Sequence, residues 1–167
     1  GDAIFRRAPD SRLVASGADL PAGRPAGPVP DYFSRVITSG QPATSDLNVA
    51  PVTHRQTIGR AYPVRNAGGA ITGVLAFGLN LAYLHSVFEK LPLPDGSVVM
   101  LLDRQNRIVA RSLDGARYVG RTLVPAGPNI MQRDVDGQMR LFGTVPLSGE
   151  LWSVAVGIPR SVVVARL

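Results

Sequence analysis

The chain has 167 residues, 45% of them hydrophobic, with 18 glycines and 14 prolines, which suits one sizeable core or two small ones with many turns and argues against a helical bundle. It carries a formal net charge of +6 and no cysteine, so disulfides and thiolate metal sites are excluded. The arginines are scattered among acidic residues without a basic stripe, which argues against nucleic-acid binding. The sequence contains no run of about 18 apolar residues, the length that a membrane-spanning helix needs.

The first half is predicted to fold as two hairpins separated by a short helix and an irregular crossing. Pro9-Asp10-Ser11 is a turn signal between two short apolar runs. Asp31 is a good N-cap for the helix, and Gly40 is a good residue to end it. The predicted elements are a hairpin at 4–17, a loop at 18–30, a helix at 32–38, an irregular segment at 41–55 and a hairpin at 58–81.

The hairpin at 58–81 alternates by size, not by polarity, along its return strand. Its turn, Asn66-Ala67-Gly68-Gly69, contains residues that tolerate positive φ. One predicted face is bulky, with Ile71, Leu75, Phe77 and Leu79, and the other is mostly small, with Val74, Ala76, Gly78 and Asn80. A small face covered by helices or loops can leave a cavity, and Asn80 could orient a guest there. This pattern predicts a binding site and is not an enzyme signature.

The second half follows the same order in weaker form. The predicted elements are a helix at 81–91 ended by Pro92, a hairpin at 97–112, a short polar crossing at 113–136 and two strands within 139–159. Residues 10–16 echo 103–112, and residues 62–78 echo 145–157, so that each half runs hairpin, crossing, hairpin. The sequence therefore predicts an α+β fold with two antiparallel sheets.

Several short motifs, in the same order along nearly the whole chain, resemble the double Cache sensor domains: Tyr32-Phe33, Thr38-Ser39-Gly40-Gln41-Pro42, Ala61-Tyr62-Pro63-Val64, Gly73-Val74-Leu75, Leu101-Leu102-Asp103 and Ile108-Val109-Ala110-Arg111-Ser112. The resemblance implies the extracytoplasmic small-molecule sensor of a bacterial transmembrane receptor. The output of such a receptor could be a histidine kinase, a diguanylate cyclase or a chemoreceptor.

The resemblance also implies a division into two PAS-like units. The membrane-distal unit is expected at 1–92, with the long N-terminal helix of the family missing or trimmed, and the smaller membrane-proximal unit at 93–167. The expected location is the periplasmic side of an inner-membrane protein, and a homodimer is compatible with the class. Residues 161–167 could begin a segment running toward the bilayer, so we expect an apolar stretch of about 20 residues after them in the full-length protein.

The chain departs from the amino-acid-binding members of that family at the positions that hold the ligand. Those members carry an Arg and a Trp around the position of Tyr32 and an Asp where Asn80 stands. Without a cation for the ligand carboxylate and an anion for its ammonium group, ordinary amino-acid recognition is not expected. The expected ligand is a small polar metabolite such as an organic acid, whose carboxylate Arg60 could hold if it faces inward.

The predicted ligand-binding residues all lie in the first unit: Tyr32, Phe33, Thr44, Asp46, Arg60, Tyr62 and Asn80. Each assignment has a simpler alternative. Tyr32 or Phe33 could do no more than pack the helix on the sheet. Asp46 could cap a backbone turn. Arg60 and Tyr62 could form an exposed pair on the sheet.

No catalytic residue, metal site or cofactor is predicted. His54 and His85 lie in different kinds of segment, and neither has acidic neighbours at metal-ligand spacing. No nucleophile elbow, phosphate loop or catalytic carboxylate pair occurs. Two other functions stay open, namely a ligand-free spacer that relays a signal, and a small hydrolase that uses Asp46 and His54.

Overall fold

The computed structural model describes residues 3–7, 12–16, 29–50, 55–125, 127, 129–147 and 152–165. The chain forms two compact units, Gly1–Asn80 and Leu81–Leu167. The sequence-based boundary at residue 92 lies after the helix that follows Asn80. In the structure this helix contacts a strand and a helix of the second unit, so it is grouped with that unit.

The described elements alternate hairpins with short helices in both units. The first unit contains β1 (Ala3–Arg7), β2 (Leu13–Ser16), α1 (Asp31–Ser39), β3 (Ala43–Thr44), β4 (Asn48–Val49), β5 (Gln56–Arg65) and β6 (Ile71–Leu79). The second contains α2 (Leu81–Glu89), β7 (Val98–Leu102), β8 (Ile108–Arg111), α3 (Gly115–Tyr118), β9 (Ile130–Arg133), β10 (Met139–Pro146), β11 (Ser153–Pro159) and α4 (Arg160–Val164). The predicted α+β class is confirmed.

Both units arrange their strands in the same order. The sheet of the first unit runs β2-β1-β6-β5-β3, with β4 also paired to β5, and the sheet of the second runs β8-β7-β11-β10-β9. All of the neighbouring strands pair antiparallel. The weak sequence repeat therefore corresponds to a repeated topology in which the first hairpin of each unit pairs with the last strand of that unit.

The first sheet is covered by α1 on one face. In the hairpin of β5 and β6, Ala61 lies opposite Ala76, so both side chains point to the same face. That face packs against the helix in one apolar cluster: Tyr32, Phe33, Val36, Ala43, Ala61, Val74 and Ala76. The helix ends at Gly40, which has φ +67° and donates its N–H to the Val36 carbonyl at 2.9 Å, as the sequence predicted.

Three details of the sequence prediction are wrong. Pro30, not Asp31, is the N-cap of α1; Asp31 is the first helical residue and pairs with Arg35 at 3.4 Å. The segment 41–55, predicted as irregular, contains β3 and β4. The crossing at 113–136, predicted as short and polar, contains α3 and β9. Strands of two to four residues are too short for a period to be recognised, and their existence depends on the partner strand.

Candidate functional site

The α1 face of the first sheet has a floor of very small side chains. Gly59 lies opposite Gly78, and Ala61 lies opposite Ala76, in alternate rows of the β5–β6 hairpin, with the Arg60–Phe77 pair between them. By strand alternation all four residues point toward α1. We call this four-residue area the small floor. It realises the small face that the sequence predicted, and it extends that face from β6 onto β5.

Tyr32 and Phe33 lie on α1 above this floor, and both are buried. Tyr32 also meets Arg6 of β1, whose guanidinium donates a hydrogen bond to the phenol oxygen. Burial raises the pKa of Tyr32 above the ordinary tyrosine value, although the charge and the hydrogen bond of Arg6 act in the opposite direction. Tyr32 is therefore a neutral phenol at physiological pH.

Arg6 is a buried cation on the α1 face. It is 3% exposed, and it lies directly opposite Val74 of β6, so its side chain points to the same face as Val74. Sequence reasoning did not single it out. Only the register of β1 against β6 decides that Arg6 lies on this face, and the sequence alone does not give that register.

Asp46 and Asn80 lie near one end of the small floor. Ser45 donates its backbone N–H to the Gly59 carbonyl at 2.8 Å, and its hydroxyl accepts the Gly59 N–H at 2.7 Å. This places the half-buried Asp46 beside the end of the floor. Asn80 follows β6 two residues after Gly78, and its side chain is exposed.

Thr44, Arg60 and Tyr62 lie on the other face of the sheet. Thr44 is the register partner of Arg60, and the Arg60 guanidinium donates to the Thr44 hydroxyl at 2.5 Å. The same guanidinium lies 5.9 Å from the centre of the Tyr62 ring, and Tyr62 packs edge-on against Phe77 at 6.5 Å. Tyr62 is 43% exposed.

The structure thus divides the seven predicted residues into three groups instead of gathering them in one pocket. Tyr32 and Phe33 lie over the small floor. Asp46 and Asn80 lie near its end. Thr44, Arg60 and Tyr62 occupy the opposite face, so the condition under which Arg60 was to hold a carboxylate, that it faces inward, is not met. As ligand contacts the seven residues stay predictions, and Arg6 is a buried arginine on the same face of the sheet as the small floor.

The corresponding face of the second sheet is filled by large side chains. Phe142 lies opposite Gly157 and belongs to the core cluster of this unit. A Cβ at Gly157 would lie 2.7 Å from the Phe142 ring and 3.0 Å from the Arg140 side chain. Where the first unit has alanine and glycine on both strands, the second has them on β11, as Ala155 and Gly157, but has Phe142 and Arg140 on β10.

A buried ionic cluster lies beside this core. Arg111 contacts Asp134 at 2.8 Å and Asp136 at 2.7 Å, and Arg140 contacts the same two carboxylates at 2.6 and 2.7 Å. Arg140 also donates to the Gly96 carbonyl at 2.9 Å. Two cations and two anions balance, so we call these four residues the Arg–Asp cluster and interpret it as structural.

The Arg–Asp cluster holds one carboxyl strongly ionised. Burial by itself would raise the pKa of Asp136, but hydrogen bonds from Arg140, from the Gln138 backbone and from Arg111 lower it to about 2. Because Arg111 also stacks 4.8 Å from the Tyr118 ring centre, the cluster connects β8, α3 and the β9–β10 turn.

The remaining chemistry of the described part of the chain is sparse. No group of three His, Asp or Glu side chains among the described residues is arranged to hold a metal ion. His54, proposed from sequence as part of a hydrolase alternative, lies outside the described residues. No helix within the described ranges is long and apolar enough to cross a membrane.

The fold is similar to that of solved extracellular and ligand-binding domains of a histidine kinase and of chemoreceptors. This confirms, for the fold, the resemblance seen in the sequence. No protein-family model matches the chain, and no curated protein matches it either.

Among the similar solved structures is the extracellular domain of rpHK1S-Z16, a protein named as a histidine kinase, with a TM-score of 0.76 and 14% identity over 99% of this chain and 73% of that one. The ligand-binding domain of the Pseudomonas aeruginosa PAO1 amino-acid chemoreceptor PctB, in complex with L-Gln, has a TM-score of 0.75 and 19% identity over 99% and 71%. That of the Pseudomonas fluorescens chemoreceptor CtaA, in complex with L-isoleucine, has a TM-score of 0.71 and 18% identity over the same shares.

Proposed function

We propose that this chain is a small-molecule sensor domain whose ligand binds in the first unit, between α1 and the small floor. The observation that carries the proposal is the contrast between two sheets of the same topology. Under α1 the two central strands present Gly59, Ala61, Ala76 and Gly78. In the equivalent layer of the second sheet, β11 also presents small residues, but β10 presents Phe142 and Arg140. Small side chains leave room for a guest, and large ones occupy that room.

The similar structures support a sensing role for the fold. PctB and CtaA bind amino acids, and these domains match nearly the whole length of this chain. We propose that this domain senses a small polar metabolite and has no catalytic activity of its own. We further propose that it lies outside the cytoplasm and is tethered to a membrane in a receptor, whose output stays unassigned.

A ligand-free spacer is the second candidate, and one observation favours it. Ala61 is 0% and Ala76 is 7% exposed, because Tyr32, Phe33 and Val36 already cover them. A sensor then requires α1 to shift when the ligand enters, whereas a spacer does not.

Thermal unfolding of the 167-residue chain with a metabolite panel tests the proposal. The panel contains organic acids, the amino acids, their amides, polyamines and sugars. A ligand at one hundred times its Kd adds about 2.7 kcal/mol of stability. For a unit of this size, the midpoint should rise by on the order of 10 °C.

A matched pair of variants locates the site. Ala61→Leu fills the small floor and should abolish the midpoint rise, whereas Val145→Leu, at an exposed position of the second sheet, should leave it intact. If no panel member changes the midpoint and native mass spectrometry shows no retained metabolite, the spacer is correct and the sensor proposal is wrong.

A further inference from the structure

Two exposed arginines without an acidic partner lie at α3 of the second unit. Arg117 belongs to α3 and Arg121 follows shortly after its end, and both side chains are exposed. Within the described ranges neither guanidinium forms an ion pair or a side-chain hydrogen bond. Asp114, the acidic residue closest to them in the sequence, meets Arg117 through its backbone carbonyl, which accepts the Arg117 N–H at 3.0 Å. The described residues therefore leave two positive charges uncompensated here.

Both arginines are held by the same aromatic ring. The guanidinium carbons of Arg117 and Arg121 lie 5.5 and 5.8 Å from the centre of the Tyr118 ring. Tyr118 is 6% exposed and belongs to the core cluster of its unit, so its ring is a fixed surface. A guanidinium is attracted to the face of such a ring. One rigid group thus brings the two cations near each other, although each extends into solvent.

The nearby Arg–Asp cluster does not neutralise these two charges. The Arg111 guanidinium lies 4.8 Å from the centre of the same ring, but Arg111 is buried and bound to Asp134 and Asp136. The two carboxylates also bind Arg140, so the cluster is balanced and has no negative charge to spare. A partner for the exposed pair must therefore come from outside the described residues.

The chemistry of the pair indicates what kind of partner fits. A guanidinium has five N–H donors in a planar fork, and contact with a ring leaves most of them available for oxygen acceptors. A carboxylate brings one negative charge, whereas a phosphate group brings about 1.5 to 2 and three acceptor oxygens. We propose that Arg117 and Arg121 form a binding site for a phosphate group, independent of the ligand proposed for the first unit.

Titration of the 167-residue chain with inorganic phosphate, followed by proton–nitrogen NMR correlation spectra at constant ionic strength, tests the site. The Nε–H signals of Arg117 and Arg121 and the backbone amides of α3 should shift and saturate, whereas chloride should leave them in place. Acetate should bind these two residues more than about 10-fold more weakly, because it carries less charge. Equal responses to phosphate and chloride would overturn the site.

A charge-matched pair of double variants assigns the binding to these residues. Arg117→Gln with Arg121→Gln changes two exposed positions, so the fold should be kept, and the affinity for phosphate should fall more than about 10-fold. Arg133→Gln with Arg160→Gln removes two other exposed arginines of the same unit and should bind phosphate like the wild type. Equal affinities in the two double variants, both folded by circular dichroism, would contradict the proposal.

Vesicles distinguish the two sources of a phosphate group. Sedimentation compares anionic phosphatidylglycerol vesicles with zwitterionic phosphatidylcholine vesicles. Binding to the anionic vesicles that is lost in the Arg117→Gln, Arg121→Gln chain would assign the site to a lipid head group. Binding of free phosphate without binding to vesicles would assign it to a soluble ligand. A wild-type chain that binds neither overturns the phosphate site and leaves the sensing function of the first unit standing.

Discussion

Single residues decide how much space each sheet leaves, and Gly157 shows this most directly. It is buried in β11, and a side chain there would collide with Phe142 and Arg140. The glycine is therefore required by close approach and not by its backbone angles, since its φ is not positive. The absence of a Cβ allows Phe142 to fill the interior of the second unit.

Gly157→Ala is expected to destabilise the second unit by about 1–3 kcal/mol, because the added methyl group forces Phe142 and Arg140 to move in a packed core. Chemical denaturation measures the effect. Gly143→Ala is the control: it lies in the neighbouring strand β10 and a Cβ there meets nothing within 4 Å, so its change should stay within about 0.5 kcal/mol. Equal losses in both variants would show that close packing at Gly157 is not the cause.

At the scale of elements, the Arg–Asp cluster connects parts of the second unit that are distant in sequence. Arg111 comes from β8, Arg140 from β10, and Asp134 and Asp136 from the turn before β10. Removing one member leaves a buried charge without its full set of counter-charges. The free energy lost in this way is larger than the free energy that the intact cluster contributes to folding. The cluster therefore holds the β9–β10 turn in one place.

The cluster predicts a stability loss in acid. The folded-state pKa of Asp136 is about 2 and the ordinary value is 3.8. A lowered pKa contributes stability that is complete above the ordinary value and is lost as the pH falls toward the folded value. Between pH 4 and pH 2 the wild-type chain should lose on the order of 2 kcal/mol through this carboxyl.

Denaturation at a series of pH values checks this loss. Asp136→Asn should be less stable at neutral pH and show a shallower decline between pH 4 and pH 2, since the titrating group is gone. Asp114→Asn, at an exposed carboxyl outside the Arg–Asp cluster, should follow the wild-type curve. A decline of wild-type steepness in Asp136→Asn would contradict the role assigned to the cluster.

At the scale of the whole molecule, two copies of one topology have different interiors. The second has a core of large side chains and a neutral ionic cluster, whereas the first has a small floor and a buried arginine. Ligand binding should therefore affect the two units unequally.

Hydrogen exchange with the panel compound that raises the unfolding midpoint most should show this difference. Amides of α1, β5 and β6 should be protected on binding, because a ligand that stabilises the first unit suppresses its opening. Amides of β7, β10 and β11 report on the second unit and should be unchanged. Protection confined to those three strands would place the site in the second unit and contradict the proposal.

Much of the fold was predictable from the sequence because the signals for its hairpins and helices lie within short segments of the chain. Alternation and turn residues predicted the hairpins at 58–81 and 97–112, and helical spacing predicted the helix after Asn80. These signals are contained within 10 to 20 neighbouring residues. The short strands β3, β4 and β9 were missed, since two to four residues contain too little pattern and form only where a partner strand is present.

The sequence by itself determined that the chain is α+β, that its two halves repeat one order, and that β6 has a bulky and a small face. Only the tertiary structure decided which side chains share a face. It separated Arg60 from Tyr32, and it placed Arg6 beside Tyr32 although 26 positions divide them in the chain. The physical reason is that strand register assigns each side chain to one face of a sheet, and register depends on the partner strand.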